Sequence, residues 1–357
     1  MTGRIGYYVH HQGDGHRRRA LAIAHQSPDD FVLLGTGLSG RTEGLGCVDL
    51  PDDRPDGSGG GDASDSQATR PQALHYAPTG HDGLRRRVAR VAEWIAAERP
   101  ALLVVDVSVE IAMLARLAAT PTVYVRLSGT RDDQPHLEAF RGARAIIAPF
   151  HADLDEPAVE PWIRDKTRYC PGLTLQRPTQ DVDHDTVLAV FGKGGDPGDS
   201  DRLVRAAAAT PSVNWRVIGP VTASNAALPT NLTILGWVEN AQDEIARAGV
   251  VVGAAGDGLV TAALAADRPL ICLAEPRPFD EQVSKARRLE ALGAALAIGV
   301  WPEPLEWPLL LARARALRSD ARERLHDKDG IAKAAAFLRD CAMMAPGPVP
   351  RMMGATS

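Results

Sequence analysis

Cysteine and long apolar runs are scarce in this sequence. The four cysteines, Cys47, Cys170, Cys272 and Cys341, are spread over 357 residues. This spacing excludes the close pairs of a structural zinc site or a redox motif and favours reduced, mostly buried thiols. No segment approaches the ~20 apolar residues of a membrane-spanning helix, and the first residues lead into a predicted strand rather than a signal peptide. We therefore expect a cytoplasmic protein without a transmembrane segment.

An excess of positive charge is also lacking. The chain has 40 Lys and Arg against 45 Asp and Glu, a formal net charge of −5, so no global attraction to nucleic acid or an acidic membrane is expected. Arg85, Arg86 and Arg87 begin a predicted amphipathic helix and are interpreted as a solvated face. The alternative is peripheral contact with a membrane carrying a lipid-linked acceptor. We expect small-molecule partners and no nucleic acid, and the oligomeric state is left open.

Apolar runs rich in Val and Ile alternate with amphipathic segments of helical length in both halves of the chain. This alternation is typical of parallel sheets covered by helices on both faces. The length favours two domains. We predict an α/β fold with two Rossmann-like domains facing across a cleft. They comprise residues 1–180, with a mobile polar loop at 51–70, and residues 181–340, and a flexible tail follows at 341–357.

The predicted elements follow this alternation. The predicted strands are 5–9, 31–35, 102–107, 122–125, 145–148, 187–191, 214–218, 232–235, 250–252 and 270–273. The predicted helices are 18–25, 84–98, 109–118, 241–248, 259–266 and 280–292, with further helices from 301 to about 339.

Two glycine-rich junctions between a strand and a helix carry the first functional signal. Gly13-Asp14-Gly15-His16 precedes an Ala/Leu-rich helix, and Gly256-Asp257-Gly258 lies at a similar junction in the second half. Glycine lets the main chain turn sharply and approach a ligand, and a helix start offers unpaired N–H groups to an anion. The Gly192-Lys193-Gly194-Gly195 loop and residues 275–282 follow other predicted strands, where open parallel sheets bind ligands.

The sequence VVVGAAGDGLVTAALAADRPLICLAEPRPFDEQVSKARRLEALGAA at 250–295 resembles the donor-binding region of GT-B glycosyltransferases related to the peptidoglycan N-acetylglucosaminyltransferase. GDGHRRRALAIA at 13–24 is similar to the glycine-rich loop and helix near their amino terminus. The resemblance is local over roughly sixty residues and architectural elsewhere. It implies a GT-B fold and an inverting transfer that needs no metal or cofactor, in which a nucleotide-diphosphate sugar is the co-substrate.

The resemblance also implies roles for residues of the first half. Gly13 and Gly15 would shape the loop, and His16 would be the base that takes a proton from an acceptor hydroxyl. The alternative is that His16 only packs or caps at the helix start. Asp106 and Glu110, in VVDVSVE, would orient His16 or bind an acceptor, although the same residues fit a helix-capping pattern.

In the second half, the resemblance implies a donor site. The main-chain N–H groups of Gly258, Leu259 and Val260 would hold the diphosphate. Asp280 and Gln282 would contact the sugar with help from Glu281, although Asp280 also fits a helix N-cap. Lys193 would add charge over the phosphates unless it is simply solvated. Trp237 and Val238 would present main chain to the nucleobase, or form an exposed turn. The donor-binding prediction as a whole comprises Gly13, Gly15, Gly192, Lys193, Gly194, Gly195, Trp237, Val238, Gly256, Asp257, Gly258, Leu259, Val260, Asp280, Glu281 and Gln282.

One position departs from the family pattern. Relatives that use uridine donors carry a Glu that binds both ribose hydroxyls, and Ala262 occupies the aligned position. A methyl group cannot accept those hydrogen bonds, which contribute roughly 1.5 to 3 kcal/mol each when one partner is charged. A UDP-type donor is favoured by the resemblance but weakened by Ala262, and Asp257 is a possible substitute.

The acceptor is predicted to contact the loop after the strand at 122–125. RLSGTRDDQPH at 126–136 places Arg131, Asp132, Asp133 and His136 there, and polar loops after parallel strands are favoured sites for substrate contacts. Arg131, Asp132 and His136 are the acceptor candidates.

Two further functions stay open. Gly-x-Gly-His-x-x-Arg-x-Leu-x-Ile-Ala at 13–24, with Arg19, is similar to the amino terminus of nucleotide-sugar hydrolases of the nonulosonate pathways, in which the His positions water. The absence of Glu at Ala262 is compatible with a non-catalytic nucleotide-sugar-binding protein. A dinucleotide-dependent oxidoreductase is disfavoured because neither half has the full Gly-x-Gly-x-x-Gly with a following acid.

Overall fold

The computed structural model describes residues 3–11, 14–54, 73–174, 181–192, 194–222 and 227–344. In these ranges the chain forms two lobes, each built on a parallel sheet. The first-lobe elements are β1 (Ile5–Tyr8), α1 (Gly15–Ala24), β2 (Phe31–Gly35), β3 (Cys47–Asp49), α2 (Asp82–Glu98), β4 (Leu102–Asp106), α3 (Val109–Leu117), β5 (Thr122–Val125), α4 (Gln134–Gly142), β6 (Ala145–Ala148), α5 (Pro161–Lys166) and β7 (Thr167–Tyr169).

The second lobe has the same alternation of strands and helices. Its elements, with the terminal helix, are β8 (Asp183–Val190), β9 (Gly198–Asp199), α6 (Ser200–Ala209), β10 (Asn214–Ile218), β11 (Val221–Thr222), β12 (Leu232–Gly236), α7 (Ala241–Arg247), β13 (Ala248–Gly253), α8 (Asp257–Ala265), β14 (Leu270–Leu273), α9 (Glu281–Ala291), β15 (Ala295–Ile298), α10 (Trp307–Arg315), α11 (Ser319–Arg324) and α12 (Gly330–Met343).

The strand order confirms the doubly wound architecture. Among the described residues the first sheet has seven strands in the order β3-β2-β1-β4-β5-β6-β7, and the second has six in the order β12-β10-β8-β13-β14-β15. All of these pairs are parallel. In each sheet the first strand lies in the middle, beside a strand reached by a crossover. This arrangement creates the crevice at which such sheets bind ligands.

The central strands are apolar on both faces. Every residue of β4, LLVVD, is buried, and so is every residue of β13, AGVVVG. Helices cover both faces of each sheet, so these strands are continuous apolar runs rather than alternating ones. Only the last position of β4, Asp106, is charged, which places a carboxylate at the ligand-binding edge of the sheet.

Short edge elements were not predicted from the sequence. β3 and β7 have three residues each and too few apolar positions to show a period. β15, α4 and α6 were also missed, although α4 begins with a clear cap: the carboxylate of Asp133 accepts from the N–H of His136 at 3.3 Å.

The last helix joins the first lobe. Ala334, Ala335, Leu338 and Cys341 of α12 are buried in the apolar cluster formed by β1, β2 and α1. The prediction assigned residues up to 340 to the second domain and 341–357 to a flexible tail. Both bounds are corrected here, because the apolar face of α12 is buried on the first lobe. Residues 345–357 lie outside the described residues, as do 175–180, so the division at residue 180 stays a prediction.

The predicted mobile loop at 51–70 is only partly described. The carbonyl of Pro51 accepts from Nη2 of Arg87 at 2.9 Å, and residues 55–70 lie outside the described residues. Arg85 and Arg86 are exposed and paired with Asp82, as expected of a solvated face. Arg87 was predicted wrongly, because its side chain is 1% exposed and also donates to Tyr8 Oη at 2.5 Å. None of the helices in the described ranges combines the length and apolar character that crossing a bilayer requires.

Candidate active site between the two lobes

The first-lobe junction places His16 at the edge of the cleft. Gly15 is the first residue of α1, and no described atom lies within 4 Å of a Cβ built on it. The His16 side chain is 13% exposed, so a small part of it is accessible. Gly13 lies outside the described residues, and its predicted role stays a prediction.

His16 contacts Asp106, as one of the two sequence interpretations of this carboxylate predicts. His16 Nδ1 lies 2.9 Å from Asp106 Oδ1. β1 and β4 are neighbouring parallel strands, so the residues that follow β1 and the last residue of β4 meet at one edge. Asp106 is fully buried. A carboxylate only accepts, so this contact is a hydrogen bond when Nδ1 carries the proton, and in that tautomer Nε2 has the free lone pair of a base.

Arg19 completes this cluster from the next turn of α1. Its Nη2 lies 2.9 Å from both carboxylate oxygens of Asp106 and 3.1 Å from His16 Nδ1. Burial alone would raise the pKa of Asp106, but the charge of Arg19 and then that of His16 outweigh it and lower the pKa to about 2. Asp106 is therefore ionised at any working pH and can stabilise an imidazolium on His16.

Glu110 does not join His16. Its Oε1 accepts from the main-chain N–H groups of His75 and Tyr76 at 2.7 and 2.6 Å. It therefore positions the segment that follows the undescribed part of the loop. The prediction that Glu110 orients His16 is wrong, because a long-range main-chain contact uses this carboxylate. A role beside an acceptor stays a prediction.

The second-lobe junction has a different composition. Gly256 is the N-cap of α8, and no side chain within the described residues caps this end. Asp257, Gly258 and Leu259 form the first turn, whose N–H groups have no partner within the helix. No described atom lies within 4 Å of a Cβ built on Gly256 or Gly258, so a ligand can approach the main chain closely.

The predicted set of main-chain donors needs one correction. The N–H of Val260 donates to the carbonyl of Gly256 at 3.1 Å, which is the first hydrogen bond of the helix. Val260 is also 3% exposed and lies in the apolar cluster under the junction. The candidate donors are therefore the N–H groups before it, those of Gly258 and Leu259.

The environment differs at each of the three residues predicted to contact the sugar, Asp280, Glu281 and Gln282. Asp280 is exposed and precedes α9 without capping it by a side-chain hydrogen bond, which disfavours the capping alternative. Glu281 pairs across the cleft with Arg131 at 3.1 Å. Gln282 is 7% exposed, and its Oε1 accepts from the N–H of Glu275 at 3.0 Å. This acceptor is therefore engaged, and sugar contact through Gln282 stays a prediction.

The glycine loop after β8 closes against the loop after β14. Glu275 Oε1 accepts from the N–H of Asp196 at 3.2 Å, and a Cβ on Gly195 would meet the same oxygen at 2.5 Å. Arg277 donates to the carbonyl of Gly194. Gly192 and Gly194 border open space among the described atoms. Lys193 lies outside the described residues.

The residues predicted to lie beside the nucleobase differ in solvent exposure from the alanine that stands in place of the ribose-binding Glu. Trp237 is 64% exposed, whereas Val238 is half-buried against the second-lobe core. Ala262 is 8% exposed in the same core, and it offers no acceptor for ribose hydroxyls.

The acceptor candidates form a contact between the lobes. The Arg131 guanidinium lies 4.7 Å from the ring centroid of Phe279, and the N–H of Thr130 donates to the Phe279 carbonyl at 2.9 Å. Gly129 has a φ of +96°, and a Cβ there would meet that carbonyl at 2.3 Å. His136 packs edge-on against Phe279 with ring centroids 4.9 Å apart, whereas Asp132 is exposed.

Burial sets the protonation of His136. The side chain is 1% exposed, and burial lowers its pKa to about 4 although Asp133 opposes this shift. His136 is therefore neutral at working pH. As observed, it packs beside Arg131 rather than presenting a charge to an acceptor, and its role as an acceptor ligand stays a prediction.

Two buried cations were not predicted as site residues. Arg19 was noticed only within the hydrolase-like motif, and Lys285 was not noticed at all. Lys285 is 1% exposed and forms an ion pair with Asp257. A lysine on a helix is usually solvated, so only the five-lysine total of the chain could have drawn attention to it.

The described residues contain no group of three or more His, Cys, Asp or Glu side chains that could hold a metal ion. Transfer without a metal stays a prediction.

Comparisons with known proteins identify the fold. No protein-family model matches the sequence, and no curated protein matches it. Solved structures do match over nearly the whole chain. The kitacinnamycin glycotransferase has a TM-score of 0.68 at 14% identity, covering 95% of this chain and 99% of that one.

Two further solved structures also match this chain over nearly its whole length. MurG of Acinetobacter baumannii has a TM-score of 0.62 at 15% identity, with 94% and 99% of the two chains covered. A UDP-glucose:anthocyanidin 3-O-glucosyltransferase in complex with UDP has a TM-score of 0.60 at 13% identity, with 96% and 99% covered. These neighbours are GT-B glycosyltransferases, and the chain has the GT-B fold, as predicted.

Proposed function

We propose that this protein is an inverting glycosyltransferase that moves a sugar from a nucleotide-diphosphate donor to a hydroxyl acceptor without a metal or cofactor. The observation that carries the proposal is the His16–Asp106 pair, with Nδ1 and Oδ1 2.9 Å apart, on a GT-B fold. A base held in place by a buried carboxylate suits removal of a proton from a hydroxyl. The likeness to solved structures at 13–15% identity supports the fold alone. The proposed proton transfer is supported by the site residues.

The donor would bind mainly on the second lobe. Its diphosphate would contact the N–H groups of Gly258 and Leu259, where the helix dipole of α8 adds positive potential. The exposed indole of Trp237 would lie beside the nucleobase. The UDP complex of the anthocyanidin glucosyltransferase supports a UDP-type donor, and Ala262 leaves the ribose to be held by other groups.

Catalysis would take place across the cleft. The Nε2 of His16 would accept the proton of the acceptor hydroxyl as that oxygen attacks the anomeric carbon. The bond to the diphosphate would break on the opposite face, which inverts the configuration. The ionised Asp106 would stabilise the imidazolium, and the α8 amides would stabilise the leaving diphosphate. The acceptor would enter from the Arg131 side of the first lobe.

Mass spectrometry can test this assignment. The protein is incubated with UDP-, dTDP- and GDP-sugars and a library of hydroxyl acceptors, and the products are identified. A glycosylated acceptor together with the nucleoside diphosphate supports transfer. Free sugar formed without an acceptor supports the hydrolase alternative. Tight donor binding with no product across the library identifies a binding protein and contradicts the proposal.

A further inference from the structure

Lys285 is buried on the inner face of α9. Its side chain is 1% exposed, and its Nζ forms an ion pair with Oδ1 of Asp257. A buried ammonium is unfavourable unless it is paired. Replacing a buried ion pair by apolar residues is often neutral or stabilising, so the fold alone gives little reason for this pair.

Asp257 occupies a sensitive position. It is the first residue of α8, next to the N–H groups proposed to bind the diphosphate. A carboxylate there is favourable for the helix dipole but would repel a bound anion. Its Oδ2 is buried and has no hydrogen-bond partner among the described residues.

The charges around Asp257 come from both lobes. Burial raises its pKa, but Lys285, Arg19 and His16 together lower it below the ordinary value. Asp257 is therefore ionised and lies within electrostatic range of the His16 cluster across the cleft. Of these groups, Lys285 is the one in direct contact with it.

We propose that Lys285 is a positioning residue that neutralises Asp257 and so allows the start of α8 to accept the diphosphate. The inference rests on the proposed function and adds a residue to it. Lys285 does not touch the donor in this account. It removes the repulsion that Asp257 would otherwise exert on the bound anion.

Isothermal titration calorimetry with UDP and dTDP tests the inference. Lys285→Met should weaken binding by about tenfold or more, because it leaves Asp257 as an uncompensated negative charge beside the ligand. The loss should be smaller for UMP, which carries fewer phosphate charges. In the double variant Asp257→Asn with Lys285→Met the negative charge is absent, so its affinity should be severalfold higher than that of Lys285→Met alone.

The controls separate the possible failures. Lys333→Met removes a more exposed ion pair with Asp327 and should leave affinity unchanged, and circular dichroism checks that each variant is folded. Wild-type affinity in Lys285→Met, or a double variant as weak as Lys285→Met, overturns the inference and leaves the proposed function intact. If Lys285→Met does not fold, the double variant decides. A wild-type protein that binds no nucleoside diphosphate overturns both proposals.

Discussion

The two strand-to-helix junctions occupy the same place in their lobes and have opposite chemistry. At the first, between β1 and α1, side chains dominate: His16, Arg19 and Asp106 form a buried, charged cluster. At the second, between β13 and α8, glycines leave the main chain accessible. A Rossmann-like junction can therefore supply either a positioned base or an anion site. The side chains of the first turn and of the neighbouring strand decide which.

The largest expected effect concerns the first junction. His16→Ala should lower kcat by roughly 100-fold to 10,000-fold, because a positioned general base contributes about that much, while donor affinity stays unchanged. Steady-state kinetics and calorimetry check the two quantities. A folded variant with wild-type turnover would remove His16 from catalysis. Weakened donor binding would break the comparison, because His16 would then belong to the anion site.

Asp106→Asn should damage both stability and turnover. It leaves the buried guanidinium of Arg19 without a counter-charge, and breaking a buried pair costs about 3–5 kcal/mol. Urea unfolding measures this loss. Asp267→Asn is a control, because its partner Arg322 is buried but Asp267 itself is 39% exposed, so the loss should be smaller. Equal losses of unfolding free energy in the two variants would show that the buried Asp106–Arg19 pair contributes no more to stability than the partly exposed Asp267–Arg322 pair.

Acid sensitivity should trace to the first lobe. The pKa of His136 is lowered to about 4 by burial, so between the ordinary pKa of ~6.5 and about 4 the unfolded state binds a proton that the folded state does not. The free energy of unfolding should therefore fall by about 3 kcal/mol as pH drops through this window. His136→Gln should lack this part of the loss in pH-dependent urea unfolding. An identical pH profile in the variant would contradict the prediction.

Matched glycine substitutions sharpen the comparison further. Gly258→Ala should leave the fold intact, because no described atom lies within 4 Å of the new Cβ. It should weaken nucleoside-diphosphate binding by about tenfold, or ~1.4 kcal/mol, since the methyl group occupies the approach to the main chain. Gly15→Ala also meets no described atom and should weaken this affinity much less, because the proposed function places Gly15 beside the base His16 and not, as in the donor-binding prediction, beside the donor. If calorimetry shows weaker binding in Gly15→Ala and unchanged binding in Gly258→Ala, the first junction rather than the second binds the diphosphate.

The smallest effect is expected at the nucleobase. Trp237→Ala removes an indole that is 64% exposed and should raise the KM for the donor severalfold without changing kcat, because stacking of a base on an aromatic ring contributes roughly 1 kcal/mol or more. Leu228→Ala, at another exposed apolar residue of the second lobe, is the control. Unchanged KM in Trp237→Ala would leave recognition of the base to the main chain.

The sequence predicted the parts of this site that depend on local patterns. Apolar runs and glycines placed β1, β4, β13 and both junctions, and the VVD ending of β4 marked Asp106 as a carboxylate at a strand end. The doubly wound strand order then brought it to His16.

What could not be predicted depends on contacts distant in sequence. Glu110 is used by the main chain of His75 and Tyr76, Lys285 reaches Asp257 from another helix, and α12 returns to the first lobe. Each is a matter of tertiary packing, which local periodicity does not record. Val260 was a different kind of error, because the helix starts at Asp257, two residues before the predicted start at 259, and this shift decides which N–H groups are free.

Amide chemical shifts test the central claim most directly: the second junction binds the diphosphate through its main chain, and the first supplies the base. In protein labelled with 15N-glycine and 15N-leucine, titration with UDP or dTDP is predicted to shift the amide signals of Gly258 and Leu259 strongly and that of Gly15 little. A strong shift at Gly15 with none at Gly258 and Leu259 would contradict the account.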